Sequence, residues 1–208
     1  MPAAPLLILL PAAGSSSRMG PSRDKLTEDL DGEPLLRNRA RLALATGLPV
    51  LVTLPPDRPA RLDALSGLAV DVVFPEGVRD GMSASLRAGA AEAAGRGLAL
   101  MVLPADMPEL TLPDLQRLLA AFVADPSRIH RGASADLRPG HPVILPADLL
   151  PEALRLTGDQ GAKPLLQAHP ARITLHPLPG THALTDLDTP EAWEAWRAQR
   201  TPAGSTSG

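Results

Sequence analysis

The stretch Leu6-Leu7-Ile8-Leu9-Leu10-Pro11-Ala12-Ala13-Gly14-Ser15-Ser16-Ser17-Arg18-Met19-Gly20, with Lys25 five residues further on, decides the fold. Five consecutive aliphatic residues read as a strand buried on both faces, the pattern of a parallel sheet covered by helices on both sides. The strand opens into a glycine- and serine-rich loop that ends in two cations. Small residues let backbone N–H groups approach an anion, successive amides form a nest, and Arg18 and Lys25 supply the charge that amides lack. Lysine is rare in this chain, which has only Lys25 and Lys163 among 20 basic residues. A lysine kept in that setting fits a compact, mobile point charge. The plainer alternative is an ordinary turn after a strand. The loop lacks the two glycines and the Gly-Lys-Ser/Thr ending of a Walker A loop, and it lacks the three spaced glycines of a dinucleotide-binding fingerprint.

Outward from that strand, Pro49 to Leu54, Val70 to Phe74 and Leu98 to Leu103 are further apolar runs of strand length. Helix-like segments at Leu35 to Ala45, Ala60 to Leu65 and Ser83 to Ala94 separate them, so the first half reads βαβαβαβ. That order predicts an α/β fold with a doubly wound, mostly parallel sheet, whose ligands sit at the carboxyl ends of the strands. After a helix at Pro113 to Ala124, short strands at Arg128 to Ser134 and Pro142 to Leu145 are joined by the turn-rich Asp136 to Gly140, which predicts a small antiparallel extension. Helices at Leu149 to Leu154 and Ala162 to Ala168, a strand at Arg172 to Pro177 and a closing helix at Pro190 to Arg200 complete the order. Thr189 before Pro190 suits an N-cap and first-turn pair. One domain over residues 1–200 is expected, with a disordered Ser/Gly/Thr-rich tail at 201–208.

The formal charge is −3 and the chain holds two Phe, two Trp and no Tyr. There is therefore no general attraction to nucleic acid and no stacking platform for single strands, so no nucleic-acid partner is expected. Absence of cysteine excludes a disulfide scaffold or a thiolate metal site and fits the cytoplasm. No apolar run approaches membrane-spanning length, so no membrane partner is expected.

Other segments offer chemistry. Asp106, in Leu103-Pro104-Ala105-Asp106-Met107-Pro108, follows a buried strand at the same sheet edge as the phosphate loop and suits Mg²⁺, which prefers carboxylate and phosphate oxygens. A turn or capping aspartate is its alternative role. Asp186 and Asp188 form an Asp-x-Asp whose side chains share a face if the backbone is extended, and Asp188 could otherwise help cap the last helix. In Gly81-Met82-Ser83-Ala84-Ser85-Leu86-Arg87, small residues open a helix and leave room for a flat base, unless Ser83 only caps that helix. Arg87 is left facing either phosphates or solvent. Gly161 before a helix leaves amides free for an anion, with Lys163 close by.

Five segments in order, from Leu6 to about Trp196, resemble the MobA-like nucleotidyltransferases, most closely the molybdenum cofactor cytidylyltransferases. The carriers are Leu-x-Ala-Ala-Gly-x-Ser-x-Arg-Met-Gly with its lysine, Ala-Asp-Met-Pro, Gly-Met-x-x-Ser-Leu, Gly-His-Pro with Gly-Asp-x-Gly-Ala, and Asp-x-Asp-Thr-Pro-Glu. The chain departs in having Pro11 before the first alanine and four residues between Gly20 and Lys25. The resemblance implies a Rossmann-like nucleotidyltransferase fold and Mg²⁺-dependent transfer of CMP from CTP to a phosphorylated acceptor, molybdopterin, with release of pyrophosphate. It implies catalytic roles for Arg18, Lys25 and Asp106. Nucleotide contacts fall to Ala12, Ala13, Gly14, Ser15, Ser16, Ser17, Gly81 and Ser85, and metal contacts to Asp106 with Asp186, the preferred member of the pair, or Asp188. Acceptor contacts fall to His141, Asp159, Gly161 and Lys163. Ala12-Ala13 before the loop glycine is the pair that accompanies CTP in this family. Alternatives are cytidylyl transfer to methylerythritol phosphate or another sugar phosphate, and a cofactor-insertion chaperone that docks transiently on a molybdoenzyme.

Overall fold

In the computed structural model, which describes residues 5–20, 23–77 and 81–200, seven strands form one sheet. In chain order the strands are β1 (Leu6–Pro11), β4 (Val50–Thr53), β5 (Asp71–Val73), β6 (Ala99–Val102), β7 (Ile129–Ala133), β8 (Pro139–Leu145) and β9 (Ile173–Pro177). A two-stranded ribbon, β2 (Asp29–Leu30) with β3 (Glu33–Pro34), lies between β1 and β4 in sequence. The sheet order is β5-β4-β1-β6-β8-β7-β9. Pairing is parallel from β5 through β6 and again between β7 and β9, while β8 runs antiparallel to both of its neighbours. The expected mostly parallel sheet and its antiparallel extension are therefore both present, the extension being the reversed β8.

Two cores sandwich the sheet. Leu6, Ile8 and Leu10 on one face of β1 pack with α1 (Leu35–Leu44), α4 (Leu112–Ala124) and Trp193 and Trp196 of α7 (Pro190–Arg200). Leu7 and Leu9 on the other face pack with α3 (Met82–Gly95), α5 (Leu150–Ala153) and α6 (Lys163–Ala168). Every β1 residue is buried, which is why the run carries no polar alternation. Gly89 of α3 brings that helix onto β1, where an added Cβ would lie 2.6 Å from a methyl of Leu9.

The chain places β4 and then β5 on one side of β1, and α3 carries it back over the sheet to β6 on the other side. The strand order reverses at β1, so a crevice opens beyond the carboxyl ends of β1 and β6. The loop after β1 and the Asp106 turn after β6 are adjacent there.

The sequence-predicted helices and strands all appear within a residue of their expected bounds, except that β8 starts at Pro139, so Pro139 and Gly140, expected in the turn, belong to the strand. The segment expected as a helix over Leu149 to Leu154 is a 3₁₀ turn, Ala147–Leu149, running into α5. Thr189 does cap α7, its Oγ1 accepting from Ala192 N–H at 3.2 Å. Residues 201–208, expected as a disordered tail, lie outside the described residues, as does Asp80 ahead of Gly81.

Candidate active site

Beyond Pro11 the chain turns through Gly14 to a single 3₁₀ turn, Ser17–Met19, with Ser16 in the left-handed region at φ 53°. What holds the loop is an arginine that sequence reasoning missed. Arg61 of α2 (Pro59–Ala64) is fully buried and donates to the carbonyls of Ala12 and Gly14 (2.8 Å), to Ser16 Oγ (2.9 Å) and to both carboxylate oxygens of Asp24 (2.7 and 2.9 Å). With carbonyls captured from behind, Gly14 to Arg18 stay exposed or half-buried where they line the cleft. Burial opposes the charge on Asp24, but Arg61, the Leu26 amide and Ser16 outweigh it and hold its pKa below the usual carboxylate range.

Asp24 also directs Lys25. Its Oδ1 accepts from Leu26 N–H (3.1 Å), fixing the turn from which Lys25 projects across the crevice to Asp106 (Nζ to Oδ2, 2.5 Å) and to Asp188. Arg18 pairs with the other oxygen of Asp188. Burial works against the Lys25 charge, yet Asp106 and Asp188 more than compensate and raise its pKa. Lys25 is thus a cation at neutral pH.

A second buried arginine supports the opposite wall. Arg39 of α1 donates to the carbonyls of Met107 (3.1 Å) and Leu110 (2.8 Å), which fixes the turn carrying Asp106; burial lowers its pKa to about 10. The Asp186 to Asp188 segment docks on the same turn through Leu187 N–H to Asp106 C=O (3.0 Å). Glu109 anchors it further, accepting from Thr181 (2.5 Å), Thr185 (2.9 Å) and the Trp196 indole (3.2 Å). Asp186 is pushed above the usual carboxylate range by partial burial and then by the negative charges of Asp188 and Asp106.

Among the described residues no three acidic or imidazole groups converge as a ready-made metal cage. Asp106 and Asp188 instead meet through one ammonium. That donor set fits a hard divalent ion, since Mg²⁺ is usually held by one or two carboxylates together with substrate phosphates and water. Asp188 is the member of the Asp-x-Asp pair that Lys25 joins to Asp106.

Three connected cavities gather the sequence-predicted residues. One of about 550 Å³ is lined by Gly14 to Arg18, Lys25, Asp106, Asp186 and Asp188. A small cleft of about 100 Å³ is bounded by Ala12, Ala13, Gly81 and Ser85. The third, about 660 Å³, is lined by His141, Asp159, Gly161 and Lys163 together with aliphatic side chains. Two glycines make the seam between the last two. Gly81 (φ +62°) and Gly161 (φ +59°) adopt left-handed backbone, and an added Cβ would lie 3.0 Å from Asp159 Cβ and from Met82 Cγ respectively. Ser83 does not cap α3, whose N-cap is Gly81; it is buried with its hydroxyl unpartnered. Arg87 faces neither phosphates nor open solvent alone, since it donates to Leu156 C=O at 2.7 Å.

His141 sits at the mouth of the third cavity with Nδ1 unpartnered and backbone N–H bonded to Ala183 C=O (2.9 Å). Burial, reinforced by Arg131, lowers its pKa to about 4 despite Asp106, so it is a neutral imidazole at pH 7.

The family model for the MobA-like NTP transferase domain matches residues 8–173, a span that includes the Gly14 loop, Lys25, Asp106 and β8. The chain belongs to this family. A crystal structure of Rv0371c from Mycobacterium tuberculosis H37Rv is similar at 26% identity and TM-score 0.78, over 95% of this chain and 98% of that one, and the same mycobacterial protein is also known in complex with manganese. A nucleotidyl transferase from Methanothermobacter, Mth528, is similar at 24% identity and TM-score 0.77, over 93% and 96%. A CMP-2-keto-3-deoxy-manno-octonic acid synthetase complexed with CTP shares the fold at 15% identity and TM-score 0.73, over 94% and 98%. No curated protein sequence matches the chain. Membership of the MobA-like family makes the protein a nucleotidyltransferase acting on a nucleoside triphosphate. Among the described residues no helix is long and apolar enough to cross a membrane.

Proposed function

We propose that this MobA-like enzyme transfers CMP from CTP to the phosphate of molybdopterin, in the cytoplasm and with Mg²⁺, releasing pyrophosphate. The observation that carries the reading is the junction of Lys25 with Asp106 and Asp188 directly beneath the Gly14 loop, a site where cations and carboxylates from three distant segments meet. An acceptor phosphate oxygen attacks the α-phosphorus, a new P–O bond forms, and the bond to the β-phosphate bridging oxygen breaks as pyrophosphate leaves. Both nucleophile and leaving group are ionised at neutral pH, so no proton transfer is needed and neutral His141 serves as an acceptor contact. Positioning and charge neutralisation then supply the rate. The Gly14 to Ser17 amides seat the triphosphate. Arg18 and Lys25 exchange their carboxylate partners for phosphate oxygens and offset charge on the leaving pyrophosphate. A divalent ion at Asp106 and Asp188 would supply further charge neutralisation and alignment of the phosphates, consistent with the manganese complex of the mycobacterial relative. The small cleft beside Ala12, Ala13, Gly81 and Ser85 receives the nucleoside, and Asp159, Gly161 and Lys163 contact the acceptor. The alanine pair before the loop glycine, and the CTP complex of a structural relative, favour cytosine.

The test is a thermal-shift panel of CTP, GTP, ATP and UTP with Mg²⁺, followed by pyrophosphate release with CTP and molybdopterin. A ligand at one hundred times its Kd stabilises the native state by about 2.7 kcal/mol. Selective stabilisation by CTP and acceptor-dependent pyrophosphate release are expected. Equal shifts for all four nucleotides would overturn the choice of base, and pyrophosphate release that ignores molybdopterin would overturn the acceptor.

A further inference from the structure

Arg131 of β7 was not singled out by its sequence context, and its position gives it a role. It lines both large cavities, and the residues common to the two are Met82, Pro104, Arg131, Pro139 and His141. Arg131 is the single charged member of that neck, because His141 is neutral at pH 7. Its Nε donates to Gly140 C=O at 2.9 Å, which orients the guanidinium, and no carboxylate of the described residues lies within ion-pair distance of it. Burial lowers its pKa, but an arginine so shifted keeps its charge throughout the neutral range. The other arginines that frame the site, Arg18, Arg39 and Arg61, are committed to carboxylates or carbonyls. A half-buried guanidinium without an anion, held by one nitrogen and facing a cavity, is suited to bidentate capture of a phosphate.

The cavity beyond the neck is different in character from the nucleotide side. Leu86, Val102, Val143, Leu166 and Ile173 line it, with Gln160 and Gln167 among its polar residues. Apolar walls with a few polar groups hold a body that is itself largely flat or apolar, with hydrogen-bonding edges. Taking the nucleotide site as described under the proposed function, we infer that Arg131 binds the acceptor's phosphate monoester at the neck between the two cavities. The acceptor is accordingly a phosphate ester whose ring or apolar body fills the third cavity, with its phosphate turned toward the Gly14 loop.

Three probes separate the elements of this inference: inorganic phosphate, phenyl phosphate and 1-naphthyl phosphate, titrated calorimetrically into the full chain saturated with Mg²⁺ and a non-cleavable α,β-methylene CTP, and again without nucleotide. 1-Naphthyl phosphate is expected to bind more tightly than phenyl phosphate, and phenyl phosphate more tightly than inorganic phosphate. Arg131→Met should weaken 1-naphthyl phosphate at least tenfold while the Kd of the CTP analogue stays within twofold of wild type. Arg131→Lys should recover part of the loss. Equal binding of 1-naphthyl phosphate to wild type and Arg131→Met, or no binding to wild type, would overturn the inference, as would a parallel loss of the CTP analogue. If wild type fails to bind the CTP analogue yet still takes aryl phosphates in an Arg131-dependent way, the nucleotide reading fails and the anion site stands.

Discussion

Replacing Arg61 by methionine tests how the phosphate loop is held. The substitution keeps a long side chain and removes a guanidinium that is fully buried and bonded to Asp24, Ser16 Oγ and the carbonyls of Ala12 and Gly14. Breaking a buried pair by removing one partner costs about 3–5 kcal/mol, because the remaining charge is left uncompensated. Asp24 keeps its bonds from Ser16 and the Leu26 amide, which points to the lower end, about 3 kcal/mol. For a chain of this size each kcal/mol moves Tm by roughly 2–4 °C, so calorimetry should show a fall of roughly 6–12 °C. Asp24→Asn in the same background should be strongly non-additive, since the second change removes the orphaned charge. At a temperature where the variant is folded, CTP·Mg²⁺ should bind at least tenfold more weakly, because the loop amides lose their fixed orientation. A Tm within about 2 °C of wild type, or strict additivity with Asp24→Asn, would refute the argument that Arg61 organises the loop.

Further outcomes follow from the same geometry. Lys25→Ala should lower kcat by about 10²–10³, the usual effect of removing one group that stabilises developing charge, while Tm changes little; kinetics beside calorimetry checks this, and a stability loss that accounts for the lost activity would refute the catalytic role. Gly140→Ala should destabilise by up to about 3 kcal/mol, because its Cβ would lie 1.9 Å from Ala183 C=O, a backbone atom that cannot yield; urea unfolding measures it. The His141 pKa of about 4 in the folded state lies below its unfolded value of 6.5. Between those values the unfolded chain binds more protons, so stability is lost as pH falls from 6.5 toward 4, and His141→Asn should flatten that part of the Tm profile relative to wild type.

Much of the architecture was legible because both-face burial of Leu6 to Leu10 and the alternation with helical segments follow from local periodicity. The phosphate loop, Lys25, Asp106 and Asp188 were legible as residue types in motifs. The shared sheet edge of the loop and Asp106 was legible as well, but the junction of Lys25 with Asp188 was not, since separate crossovers bring those two together. Arg39, Arg61 and Glu109 escaped for the same reason: each acts on loop carbonyls or hydroxyls remote in sequence. Arg61 did leave a trace, as a charged residue on the buried side of a short helix. The β2–β3 ribbon had a signal too, Asp31-Gly32, both of which have positive φ and form its turn. The position of β8 between β6 and β7 depends on long-range pairing that no local pattern encodes.

The most direct measurement is a crystal structure of the protein with CTP and Mg²⁺. Triphosphate oxygens are expected on the Gly14 to Ser17 amides, with Arg18 and Lys25 transferred from Asp188 and Asp106 to phosphate. A nucleotide bound elsewhere, with Lys25 still bridging the two aspartates and the loop bare, would contradict that placement.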